Sequence, residues 1–285
     1  MKKIEVNNGR SKQARLIIFI DNTMIELISI FKKIFFYFYY FFSNKYNFLK
    51  KNKELKDACN DKKIFIIGLG PSLNNYDLKK ISGEVIIMVN RSFKHNDYEQ
   101  LKPKYHLFMD DKMAMGIWPL TYIDEIFKKN PNCKILLNAN WYYLDKFSSL
   151  RNNDQIYWVK SNYISLFFDN FSSDLTKIIS TGGGVVEEAI SLSVYLGSKD
   201  INILGVDGNG IALLMCDLDS HFDGTDPDYK KHNSLLFAHD MILSSRGMRA
   251  WHRIAKALKK RNIKIFNRSK EGILDAYEYK DFDSL

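Results

Sequence analysis

Cysteine is scarce in this chain of 285 residues, and its three thiols, Cys59, Cys133 and Cys216, stand far apart. Their odd number and wide spacing exclude a paired-disulfide framework and a Cys-x-x-Cys metal knuckle, and they predict reduced thiols in a cytoplasmic protein. The six histidines show neither His-x-His nor His-x-x-x-His spacing, which argues against a zinc site. A bilayer crossing needs about 20 apolar residues. The aromatic run Ile34 to Phe42 supplies nine, bounded by Lys32 and Lys33 on one side and Asn44 and Lys45 on the other. No small-residue cleavage site follows an aliphatic run, so no secretory signal is expected. No repeat or low-complexity linker divides residues 63–285. What is present, 46% hydrophobic and 14% aromatic residues, excludes a disordered chain and a collagen-like fibre. The length suits one large domain or two small ones.

The charge is uneven. Lys and Arg number 42 against 33 Asp and Glu, a formal +9, which at first suggests nucleic acid as a partner. Residues 1–62 hold 13 basic against 6 acidic residues, a net of +7, whereas residues 63–285 hold 29 against 27. The basic character therefore belongs to an N-terminal arm, and no nucleic-acid partner is expected. From Ile17 to Phe48 this arm contains neither Gly nor Pro. Its aromatics lie between lysines and are followed by Lys50, Lys51, Lys53 and Lys56. An amphipathic helix of this kind suits the inner face of the cytoplasmic membrane, with residues 17–56 in contact and rings at headgroup level. Burial against the domain or in a homo-oligomer is the alternative.

Beyond Lys63 the pattern changes to short apolar strands alternating with helices. Strands are predicted at 63–67, 84–89, 105–109, 134–137, 156–159, 201–204 and 263–266, and helices at 184–196 and 248–260. Such alternation predicts an α/β, Rossmann-like, mostly parallel sheet with helices on both faces, formed by residues 63–285. Ligands then sit beyond the C-terminal ends of the strands.

The unusual residues fall there. Gly68, Gly70, Pro71 and Ser72 follow the first strand, where glycines allow close backbone approach to a phosphate and a following helix start favours an anion. The third glycine of the dinucleotide fingerprint is missing. Asn90 ends the second strand and Asp110 the third, where they could meet a base, a ribose or a cation. Ser180, Thr181, Gly182 and Gly183 open the 184–196 helix and read as a second anion-friendly helix start. Asp207 closes the 201–204 strand. His221 and His239 lie farther on, on either side of an acidic loop with Asp223, Asp226, Asp228 and Tyr229. Either imidazole could take a proton from an acceptor hydroxyl. Arg246, Arg249, Arg253, Lys256 and Lys260 line one face of the last helix, which reads as a solvated face, with contact to an anionic acceptor or a membrane as the alternative.

Residues 63–73 (KIFIIGLGPSL), 180–207 and 263–279 resemble a superfamily of Rossmann-like enzymes. It contains the Campylobacter-type sialyltransferases, the motility-accessory-factor flagellin glycosyltransferases and the hydroxymethylpterin diphosphokinases. The sialyltransferase-like members imply an inverting glycosyltransferase with no obligatory metal or other cofactor. Such an enzyme moves a nonulosonic acid from a CMP-sugar donor to a cell-surface glycan or glycolipid acceptor. Gly68 to Ser72 matches their Gly-Asn-Gly-Pro-Ser loop, with Leu69 in place of the asparagine that contacts the nucleotide. Asn90 matches their cytidine-binding asparagine, His239 is nearer their catalytic histidine, and His221-Phe222 resembles a His-Phe pair of the other branches. Tyr229 would hydrogen-bond the departing phosphate. Two alternatives stand beside this reading. One is Mg²⁺-dependent pyrophosphoryl transfer using Asp110 or the acidic loop; the other is a non-catalytic nucleotide-sugar-binding subunit of a polysaccharide assembly complex.

Overall fold

The computed structural model describes residues 12–285 except 166, 168–170 and 226–232. The apolar strand segments pair into one nine-stranded sheet: β1 (Lys63–Ile67), β2 (Val85–Val89), β3 (Tyr105–Phe108), β4 (Lys134–Asn138), β5 (Ile156–Tyr163), β6 (Ile178–Thr181), β7 (Asp200–Leu204), β8 (Lys264–Asn267) and β9 (Glu278–Tyr279). Every pairing is parallel. The order is β6-β5-β4-β3-β2-β1-β7-β8-β9. The chain thus builds outward in one direction from β1 through β6 and then returns to place β7 on the other side of β1. That reversal between β1 and β7 is the position at which doubly wound sheets leave a crevice.

Both faces of the sheet are covered, so the central strands are apolar on both. Ile64 and Ile66 of β1 pack into one core with α5 (Val185–Tyr195) and the C-terminal half of α7 (Ser234–Lys260), through Ile190, Ala250, Ile254 and Leu258. Phe65 and Ile67 point the other way, into a core with Ile123 and Ile126 of α4 (Thr121–Lys129) and with Leu73, Leu78 and Phe282. Shorter helices α2 (Tyr98–Leu101), α3 (Lys112–Met115) and α6 (Gly210–Met215) complete the set. Cys59 and Cys133 are buried, Cys216 is exposed, and all three are free thiols.

The N-terminal arm forms α1 (Lys12–Phe42) followed by a 3-10 segment, Asn47–Leu55. No described helix is long and apolar enough to cross a membrane. One side of α1 lies on the body. Ser29 Oγ donates to Tyr163 O at 3.1 Å, Asn162 Nδ2 donates to Ser29 O at 2.9 Å, and Phe36 is buried. In the 3-10 segment, Asn52 Nδ2 donates to the carbonyls of Trp158 and Leu175 at 2.8 and 2.7 Å. Lys51, expected at a lipid surface, instead donates to Asn153 O and Ile156 O.

The basic stripe on the last helix also differs from expectation. Arg246 and Arg249 are not solvated alone: each places a guanidinium nitrogen 2.8 Å from a different oxygen of Asp21 on α1. Arg249 bonds Asn22 as well. These hydrogen bonds hold the Asp21 carboxyl below its ordinary range. Its stabilising effect is therefore present above the unfolded-state value near 4 and is lost as pH falls through the lower folded value. Asp21→Ala should accelerate amide exchange in α1 while changing global stability by no more than about 1 kcal/mol, because the cluster is partly exposed. Hydrogen exchange read by mass spectrometry checks this; unchanged α1 protection would show that the clamp does not hold the arm.

Candidate active site

At the crevice the backbones of two loops touch. A Cβ on Gly68 would lie 2.3 Å from Gly205 O, and one on Gly70 would lie 2.5 Å from Asp207 Oδ2. The loops are then tied by Ser72, whose backbone N–H donates to Asp207 Oδ2 at 3.0 Å and whose hydroxyl donates to Oδ1 at 2.5 Å. Burial pushes the Asp207 carboxyl up from its ordinary value, with these two donors working against the shift. Behind them, Ser269 Oγ accepts the Gly205 N–H and Ile273 N–H donates to Asp207 O. The glycines expected to admit a ligand thus admit the protein's own groups first. After Gly70 the chain makes a five-residue 3-10 turn, Pro71–Asn75, in place of the expected α-helix start.

Above this knot is a cleft of about 720 Å³. Of the residues expected at the site, Gly68, Gly70, Asn90, Asp110, Thr181, Gly183, Asp207 and His221 line it. Pro71 and Ser72, in the same loop as Gly68 and Gly70, do not line it. Ser180 is buried in β6, where its hydroxyl accepts the Ser172 N–H at 2.8 Å. Gly182 borders a smaller adjoining pocket of about 370 Å³ shared with His221, Glu187 and Trp251. His239 is exposed on α7 and borders neither pocket. Tyr229, Asp226, Asp228 and His232 lie outside the described residues.

His221 reaches the cleft because its neighbour is pinned. Phe222 N–H donates to Leu69 O at 2.8 Å, Asn74 Nδ2 donates to Phe222 O, and Asp223 pairs with the buried Arg91 at 3.1 Å. Ser220 Oγ lies 3.0 Å from His221 Nδ1. On the opposite wall, Asn90 sits in the left-handed region at φ 47°, which asparagine tolerates. Its carbonyl accepts a 2.7 Å bond from His106 Nε2, a ring that burial keeps neutral, with a pKa pushed down to about 3. Asn90 is only 7% exposed, and its Oδ1 has no hydrogen-bond partner among the described residues. Asn209 Oδ1, on the facing loop of the same cleft, is likewise unpartnered. Buried acceptors are nearly always satisfied, so two orphans in one crevice point to a ligand with donor groups.

Two carboxylates were not anticipated. Glu187 and Glu188 begin α5 and are buried. Burial pushes Glu187 up to about 7, opposed by the N–H groups of Glu187 and Gly184 and by Trp251 Nε1, which donates at 2.6 Å. The predicted second anion-binding helix start is therefore already occupied by the protein's own carboxylate. Glu188 lines the main cleft, accepts from Ser161 Oγ, and is pushed by burial up to about 8. Asp111 also lines it and accepts from Trp141 Nε1 at 2.9 Å. The sequence signal was available: two adjacent acids inside an otherwise apolar helix.

The family model described as 6-hydroxymethylpterin diphosphokinase MptE-like matches residues 40–209. The chain belongs to that family. The matched span holds β1 to β7, with Asn90, Asp110, Glu188 and Asp207. It begins after Lys32 and ends before His221, both of which line the cleft. No curated protein and no solved structure matches the chain significantly.

Two outcomes are expected. Gly70→Ala should destabilise the protein by about 1–3 kcal/mol, the usual cost of forcing a methyl into a filled space, and a chemical-denaturation curve coinciding with wild type would refute the packing argument. Because the Glu188 carboxyl titrates higher in the fold than in the unfolded chain, its favourable contribution is complete at low pH. It is lost as pH rises from about 4.5 to about 8. Glu188→Gln should therefore melt progressively higher than wild type across that window; melting curves whose separation does not vary with pH would contradict a buried neutral acid.

Proposed function

We propose that the cleft binds a nucleotide and that this chain transfers a diphosphoryl group from a nucleoside triphosphate to a hydroxyl-bearing acceptor. The observation that carries the reading is the charge of the lining. Asp110, Asp111 and Asp207 line it, Glu188 stands beside them as a mainly neutral acid near neutral pH, and Lys32 is the one ammonium group among the described lining residues. A polyphosphate entering such a site needs a counter-charge of its own. Mg²⁺ brings one, because it is commonly held by one or two carboxylates together with substrate phosphates and water. The described residues contain no group of three or more His, Cys, Asp or Glu that could cage a metal alone. The lining therefore fits a metal that arrives with the nucleotide, with Asp110 as the protein's contribution. Bound there, the ion neutralises phosphate charge.

The chain's own groups have separate tasks. Asn90 Oδ1 and Asn209 Oδ1 accept hydrogen bonds from the nucleoside. The acceptor oxygen forms a bond to the β-phosphorus while the bond from that phosphorus to the oxygen of the α-phosphate breaks, leaving a nucleoside monophosphate. His221 takes the hydroxyl proton, its ring oriented through Ser220. The family description supports this reaction class; nothing assigns the acceptor to a pterin.

A second reading, transfer of a nonulosonic acid from a CMP-sugar without a metal, is favoured by one observation. The unpartnered Asn90 Oδ1 suits the exocyclic amine of cytosine, at the strand end where the resemblance expects it. Thermal-shift assays with ATP, GTP and CMP, each with Mg²⁺ or EDTA, separate the two. Stabilisation by a triphosphate in Mg²⁺ that vanishes in EDTA and weakens in Asp110→Asn is the expected result. Stabilisation by CMP that survives EDTA would overturn it in favour of glycosyl transfer. His221→Asn should retain binding and lose turnover by about 10²–10⁴, the usual contribution of a general base. Nucleotide binding without turnover of either donor would mark a non-catalytic subunit.

A further inference from the structure

A second groove, of about 580 Å³, lies between α1 and β5, next to the edge strand β6. Three lysines line it: Lys32 from α1, Lys45 from the turn after it, and Lys160 from β5. No Asp or Glu lines it, and none of the three ammonium groups pairs with a carboxylate among the described residues. Lys160 is held below the ordinary amine range by burial and then by repulsion from Lys32 and Lys45. Lys32 and Lys45 are exposed and Lys160 is half-buried, donating to Asn140 Oδ1. Three cations around one groove with no acid in its wall make it electrostatically complementary to an anion. The rest of the wall is aromatic, with Phe31, Phe35 and Tyr39 among its members.

Those rings continue outward without a break. On the solvent side of α1, Ile17, Ile20, Met24, Leu27, Phe31, Ile34, Phe38 and Phe41 are each between 46% and 68% exposed. A helix of 31 residues is about 46 Å long, so this is an extended apolar strip bordering a cationic groove. The three-four spacing of the strip would also suit pairing with a second copy of the chain. Two features argue against that occupant. The flanking positions Ile28, Ile30, Phe35, Tyr37 and Phe42 are apolar where paired helices carry charges that fix partner and register. A second α1 would also leave the groove lysines uncompensated.

We propose that this groove is a binding site for the phosphate headgroup of an anionic lipid, with α1 lying in the plane of the bilayer and its apolar strip among the acyl chains. The lysines take the phosphate and the aromatic wall takes the first part of the chain. Lys32, Ser161 and Asn162 line both this groove and the cleft, so a docked headgroup sits at the cleft's edge. The inference rests on the groove, and it stands whichever reaction the cleft performs.

The test is flotation of the full chain with phosphatidylcholine vesicles with and without phosphatidylglycerol, in the absence of nucleotide. Binding to the anionic vesicles is expected. It should fall on the order of tenfold or more in the double variant Lys45→Gln/Lys160→Gln, since each lysine at such a surface contributes strongly. Lys50→Gln/Lys53→Gln, which removes the same charge from exposed positions outside the groove, should lose only a few-fold. Equal losses in the two variants would reduce the interaction to general charge and overturn the site. So would equal binding to both kinds of vesicle. A stable dimer that Phe31→Asp dissociates, with no vesicle binding by wild type, would assign the strip to a second copy. Thermal melts of each variant check the fold, and nucleotide-induced shifts report on the cleft separately.

Discussion

The working edge of this sheet depends on how closely the loop after β1 can approach the loop after β7. Nothing larger than hydrogen fits at Gly68 or Gly70, because Gly205 O and the Asp207 carboxylate already fill the space. The carboxylate then accepts both donors of Ser72 and locks the approach. A third segment joins from the far end of the chain: Ser269 receives the Gly205 N–H, and a Cβ on Gly272 would come within 2.3 Å of Asp207 O. Residues 68–72, 205–207 and 269–273 are distant in sequence but form one knot. It lies where the strand order reverses, so fixing the knot fixes the floor of the crevice.

The walls follow a different logic, in which buried acids take over tasks usually left to ligands. Glu187 occupies the donors at the start of α5 and accepts from Trp251 of α7, so it closes one helix and ties it to another. Glu188 faces the cleft one residue later. An ionised carboxylate in that position would be costly, and burial raises its titration to about 8. Near neutral pH it is therefore mainly a neutral group with a proton to donate. An acidic lining of this kind is less hostile to phosphate than its formal count suggests, and its repulsion grows as pH rises.

Much of the fold was legible because buried parallel strands read as short continuous apolar runs bounded by polar turns. Lys63–Ile67 is a case in which both ends were read correctly. β6, Ile178–Thr181, was missed because its four residues end in Ser-Thr-Gly and resemble a loop. The last helix was read as 248–260 and begins at Ser234, since its first half leaves Leu235, Leu236 and Ile242 exposed and shows no core-facing period. Glycines were legible as close approaches, but not what approaches them. A glycine records a missing Cβ, and sequence alone does not distinguish a phosphate from the carboxylate of Asp207. That His221 borders the cleft and His239 does not likewise depends on a hydrogen bond from Phe222 to Leu69, a tertiary contact with no local signature.

The charge asymmetry acquires a finer meaning from the way the arm is seated. Its lysines do not form a uniform basic coat. Lys51 is spent on the backbone carbonyls of Asn153 and Ile156, Lys45 lines a groove with Lys160 of β5, and Lys32 lines both that groove and the cleft. Asp21 holds α1 to Arg246 and Arg249 of α7, the same helix that supplies Trp251 to Glu187 and Leu243 to the cleft lining. A tether that only localised the protein would need neither a lysine in the cleft nor a clamp to the helix behind it. α1 thus touches the cleft at one point and the cleft's supporting helix at another. The arm therefore belongs to the architecture of the crevice as well as to whatever surface it meets.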